Sequence, residues 1–63
     1  MNKYHAIGDY GPLADQCIFR NFYASSPKNV LVMYKEYIIR HHGENLWNKI
    51  GYRNVQIFNG WME

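Results

Sequence analysis

The stretch SPKNVLVMYKEYIIRHHG, residues 26–43, leaves the rest of a 63-residue chain few choices. Ser26 is a good N-cap, because its hydroxyl can accept from an otherwise unpaired N–H of the first turn. Pro27 suits the first helical position, where a missing N–H costs nothing and φ is already helical. Gly43 is the expected stop, since glycine reaches a positive φ without penalty just past a helix end. The helix so framed, Pro27 to His42, is about 24 Å long at 1.5 Å per residue. Its apolar positions, Val30, Leu31, Met33, Tyr34, Tyr37, Ile38 and His41, recur at three and four and form one stripe. Lys28, Asn29, Lys35, Glu36 and Arg40 fall on the other side.

A helix with one apolar stripe needs a second layer to bury it against. The remaining segments read as strands. KYHAIGDY alternates loosely and ends at the Gly11-Pro12 turn signal. DQCIFRNFYA is rich in β-favouring residues, with Cys17, Phe19 and Tyr23 on one face and Ile18, Arg20 and Phe22 on the other. A short helical turn over Leu13–Cys17 competes at its start. ENLWNKI, closed by Gly51, repeats the helical idea in miniature, with Leu46, Trp47 and Ile50 on one face. YRNVQIFNGW reads as the last strand, with Val55 and Ile57 opposite Gln56 and Phe58. A helix crossing between the second and third strands favours making those two parallel, which places the first strand between them, antiparallel to both. The expected fold is α+β: a two-layer domain over residues 1–63, with a three-stranded sheet in β-β-α-β order, first strand central, and the main helix on one face. In that register Val30, Tyr34, Tyr37 and Ile38 are expected to pack on Phe19 and Val55.

A chain this short buries only roughly 60% of the surface its unfolded form exposes. Cys17 is its only cysteine, so disulfides cannot make up the difference. Six Tyr, three Phe and two Trp can, at roughly 150–250 Å² buried per ring. A single thiol fits a reducing compartment, and no apolar run approaches the length of a membrane span or a signal-peptide core. A cytoplasmic location is expected.

The residues that could carry chemistry do not assemble into a known signature. A zinc site takes closely spaced ligand pairs, whereas adjacent side chains such as His41 and His42 diverge by about 100° on a helix. His42 instead suits the negative end of the helix dipole. No metal or cofactor is expected. Cys17 lies in an apolar strand, where a thiol usually packs, and no nucleophile elbow, phosphate loop or H-E-x-x-H pair occurs. The chain reads as not an enzyme.

Three binding readings remain. Helix, Gly43 and ENLWNKI have the bare layout of a helix-turn-helix, but the second helix spends its apolar side on packing. Aromatic recognition of single-stranded nucleic acid on an open sheet face would use Tyr10, Arg20, Phe22 and Phe58. Against both, the formal charge is only +2, and the seven Lys and Arg are scattered singly. The favoured reading is a non-enzymatic protein–protein interaction module, with a homodimer as one form. Its contact residues are expected on the outer helix face, where Val32 and Ile39 interrupt the polar side between Lys28 and Lys35, or on a sheet face with Arg20, Phe22 and Phe58. Seven Asn against three Ala suit an AT-rich gene. With the short length, this points to an accessory protein of a phage or mobile element that inhibits or redirects a host protein in the host cytoplasm.

Overall fold

A computed structural model describes all 63 residues. Strand β1 (Asn2–Asp9) pairs antiparallel with β2 (Cys17–Ala24) on one side and with β3 (Val55–Asn59) on the other. The sheet order is therefore β2-β1-β3, with the first strand central as expected. Between β2 and β3 the chain forms helices α1 (Pro27–His42) and α2 (Glu44–Ile50) and a 3₁₀ turn at Tyr52–Asn54. Tyr52–Asn54 were expected to open the last strand, which is accordingly shorter.

The capping residues act as their chemistry dictates. The Ser26 hydroxyl accepts from the Asn29 N–H at 3.3 Å, and Pro27 opens α1. At the other end Gly43 stands at φ 94°, its N–H shared between the carbonyls of Ile38 and Ile39. Only glycine takes that φ cheaply.

Small residues on the sheet decide where α1 lies. Tyr4, Ala6 and Gly8 share one face of β1, and Ala24 lies on the same face at the end of β2. Val30, Tyr34 and Ile38, all fully buried, descend onto this face. A Cβ on Gly8 would sit 2.5 Å from the Tyr34 hydroxyl oxygen and 2.9 Å from a methyl of Ile50. Gly8 is thus a floor on which both helices rest. Phe22 and Trp47 meet Tyr34 edge-on, with ring centres 6.4 and 6.5 Å away. The Tyr34 hydroxyl donates to the Ile18 carbonyl at 2.6 Å, so the one polar atom of this buried ring is satisfied.

Here the expected face of β2 is reversed. Phe22 is 7% exposed and belongs to the core, while Phe19 is 46% exposed on the opposite side. Val55, Ile57 and Tyr37 do pack against the core as expected. Both faces of β2 carry aromatics, so alternation alone does not choose between them. Pairing chooses: Phe22 lies opposite Tyr4 and Ile18 opposite Gly8, whereas Phe19 lies opposite Ile7. A one-residue change of parity moves every side chain across the sheet.

Burial pushes the Tyr34 phenol up to about 12, against a weaker opposing effect from the Gly8 backbone. The unfolded chain ionises this group near pH 10. Its contribution to stability is therefore complete below pH 10 and is lost as pH rises towards about 12. Tyr34→Phe should show a shallower fall of the urea midpoint across that window than the wild type. Equal slopes in the two proteins would show that this phenol does not control alkaline unfolding.

Candidate functional site

Both helices pack on one side of the sheet, which leaves the other side without a covering layer. Register assigns the residues of that outer face. β1 supplies Lys3, His5, Ile7 and Asp9; β2 supplies Cys17, Phe19, Asn21 and Tyr23; β3 supplies Gln56 and Phe58. The sheet of an α+β domain commonly turns a polar face to water. This one exposes Phe19, Tyr23 and Phe58 together.

The C-terminal residues cross this face. Gly60, at φ 87°, turns the chain after β3, its N–H donating to the Lys3 carbonyl at 2.8 Å. His5 Nδ1 donates to the Gly60 carbonyl at 2.9 Å, and its ring stacks on Phe58 at 5.1 Å. Trp61 stands edge-on to Tyr23 at 4.7 Å, donates from its indole to the Phe22 carbonyl at 2.9 Å, and receives the Lys3 ammonium over its ring. The Asn21 carboxamide clamps the Met62 backbone through two hydrogen bonds of 2.8 and 2.9 Å. Trp61 and Met62 still present much of their surface to solvent. Sequence reasoning missed this strap. The signal was a glycine followed by a tryptophan just beyond the last strand.

The residues singled out as contacts are dispersed. Phe22 is in the core, 7% exposed, on the helix side of the sheet and not on its outer face. Arg20 lies on the helix side of the sheet, its guanidinium 4.3 Å above the Tyr37 ring, and not on the open face with Phe58. The stem of an arginine can cover apolar surface while its head reaches water, which is how an edge residue occupies this position. The expected helix stripe is divided. Val32 is 53% exposed, but Ile39 is partly buried against the core. Lys35 turns towards α2, donating to the Tyr52 hydroxyl at 3.2 Å and lying over the rings of Trp47 and Tyr52. Lys28 is exposed near the start of α1. α2 therefore covers the flank on which Lys35 and Ile39 were expected to be free. Tyr10, assigned above to an open aromatic face, packs against the core.

A groove runs along the other flank of α1, between that helix and β2. Its larger part, about 440 Å³, is lined by Arg20, Asn21, Phe22, Tyr23, Met33, Glu36, Tyr37, Arg40 and His41. A second hollow of about 260 Å³ continues it past Tyr23 and Met33 to Val32, Asn29 and Met1.

His41 and His42 both lean on Tyr37, with ring centres 4.8 and 5.8 Å away, while His5 is on the far side of the sheet. Cys17 is exposed at the start of β2, its thiol 3.5 Å from the Ala14 carbonyl. No three His, Cys, Asp or Glu side chains come together as a metal-binding group. No helix is long and apolar enough to cross a membrane. Comparison with protein-family models, with curated proteins and with solved structures yields no match for this chain.

Proposed function

We propose that this protein is a non-enzymatic protein–protein interaction module whose contact surface is the outer face of the sheet. The observation that carries this reading is the exposure of Phe19, Tyr23 and Phe58 on the face that no helix covers, beside the strap residues Trp61 and Met62. Apolar surface of that kind is what a protein partner buries, and aromatic residues and Met are enriched where interfaces are most enclosed. The titratable group that burial displaces, Tyr34, is sealed in the core with its hydroxyl committed to Ile18, which favours a structural role over a catalytic one. The setting we propose is a phage or mobile element, with a host protein as the target.

Single-stranded nucleic acid is the other class of ligand that stacks on sheet aromatics. Charge disfavours it here. Lys3 is the only Lys or Arg among the outer-face residues, where Asp9 accompanies it, and Arg20 is on the helix side. A strand of phosphates needs a cationic track that this face lacks.

The double variant Phe19→Ser with Phe58→Ser tests the reading. Both rings are half-exposed and outside the core, so the far-UV spectrum and melting temperature should stay near wild type. Capture of a partner from host lysate, quantified by mass spectrometry, should fall by roughly tenfold or more, about 1.4 kcal/mol per factor of ten. Undiminished capture by the folded variant would remove the outer face from consideration. Binding of labelled single-stranded DNA that weakens steeply with salt would favour the nucleic-acid reading instead.

A further inference from the structure

The free edge of β2 is a second surface, distinct from the outer face. Even-numbered residues of β1 turn their backbone groups towards β2, as the Tyr10 N–H bonding to the Gln16 carbonyl shows at the strand end. Odd-numbered ones turn towards β3, as the Lys3 carbonyl does in accepting from Gly60. With Tyr4 opposite Phe22 and Ala6 opposite Arg20, the backbone groups of Cys17, Phe19, Asn21 and Tyr23 must point away from β1. None of the backbone hydrogen bonds outside the helices and strands involves these four residues.

Natural sheets normally blunt such an edge with proline, a bulge or inward charges, or keep it short. β2 has eight residues, no proline and an unbroken register against β1, and its one inward charge, Arg20, lies over the Tyr37 ring in the groove. The opposite edge, on β3, has five residues. The long edge also forms one wall of the groove along α1, so a chain laid on it would project alternate side chains into that groove. At one end of the groove those side chains would meet Arg20, Arg40 and His41, against which stands only Glu36. At the other end they would meet Met33 and Val32.

We propose that the β2 edge binds an extended peptide segment of another protein as a fourth strand. The segment carries a carboxylate that meets Arg20 and Arg40, and an apolar side chain two or four residues away that fills the hollow by Met33 and Val32. Strand addition supplies affinity through main-chain hydrogen bonds, and the alternate side chains supply selectivity. Charge complementarity chooses this occupant over a second copy of the chain. A β2–β2 pairing would bring two Arg20 and two Arg40 into one shared groove with only two Glu36 to offset them. It would also direct both C-terminal straps, clamped at Asn21, towards the same axis.

The probe is an array of immobilised eight-residue peptides alternating Thr and Val, with Asp, Lys or Ser at one inward position and Leu or Ser at the next two. The labelled full-length protein should prefer Asp-Leu members over Lys-Leu members by at least about tenfold, the factor a charge-assisted hydrogen bond carries. Phe19→Pro removes one edge-facing N–H without touching the β1 pairing, a place where an edge strand tolerates proline. It should abolish array binding, whereas Phe19→Ser, which loses the ring but keeps the N–H, should retain it. Arg20→Glu with Arg40→Glu should invert the preference to Lys, and it decides the matter should Phe19→Pro fail to fold. The outer-face variant Phe19→Ser with Phe58→Ser should still select Asp-Leu peptides, so failure of the outer-face reading would leave this result standing. Lack of discrimination between Asp and Lys by the wild type would overturn the proposal. So would sedimentation showing a dimer that Phe19→Pro dissolves, which would give the edge to a second copy. Binding of an oligothymidylate lost in the charge-reversed variant, without any peptide selection, would give the groove to nucleic acid.

Discussion

Tyr34→Ala is expected to remove a third or more of the stability of the fold. The ring is fully buried between Phe22, Trp47 and the Gly8 floor, and its hydroxyl holds the Ile18 carbonyl. Removing a buried aromatic side chain costs about 3–5 kcal/mol, part of it for the cavity left behind. A chain of 63 residues has in all roughly 3–9 kcal/mol of stability, at 0.05–0.15 per residue. The loss is thus a third of the whole or more. Circular dichroism at 25 °C, followed by a urea titration, measures it. A cooperative melt within a few degrees of wild type would show that Tyr34 does not join the two layers.

Gly8→Ala is expected to destabilise the fold by about 1–3 kcal/mol although it adds a single methyl group to a strand. In an open strand the same change would be neutral or helpful, because glycine is the poorer strand former. Here the new Cβ meets the Tyr34 hydroxyl oxygen at 2.5 Å, a ring carbon of Tyr34 at 3.0 Å and an Ile50 methyl at 2.9 Å. Tyr34 cannot retreat, being enclosed on all sides and hydrogen-bonded at its tip. Adding Tyr34→Phe removes the nearest of those atoms, so the double variant should lose less than the two single costs added together. A double-mutant cycle by denaturant unfolding reads that coupling directly. Strict additivity would mean that the sheet relaxes away from the helix and that Gly8 is no fixed floor.

The two substitutions mark where sequence reasoning stops. Ser26, Pro27 and Gly43 define α1 by local chemistry, so its limits, Pro27–His42, are legible without tertiary information. The apolar spacing within it gives a seven-residue stripe that includes the three buried residues Val30, Tyr34 and Ile38, but also Met33 and His41, which are exposed. Element order and the handedness preference of crossing connections then lead to a central first strand. The face of β2 is another matter. Phe19 and Phe22 are equivalent as residue types, and what separates them is pairing with β1 and the clearance above Ala6, Gly8 and Ala24. Small residues beneath a large tyrosine form a complementary pair, but the two halves lie far apart in the chain and nothing local links them.

The candidate surfaces follow the same division. That aromatic residues exceed what a thin core can hold is visible from composition. Which of them remain outside is decided by α2, which covers the flank of Ile39 and Lys35, and by the strap of Gly60–Met62 over the outer face. The groove beside β2 has no sequence signature at all. Arg20 and Arg40 become neighbours of one hollow only because α1 returns along the strand that precedes it. Local preference determined the elements and their caps, since turns, caps and periodicity act over a few residues. Long-range packing alone decided which sheet face is wet and which edge is free, because both depend on where a distant helix comes to rest.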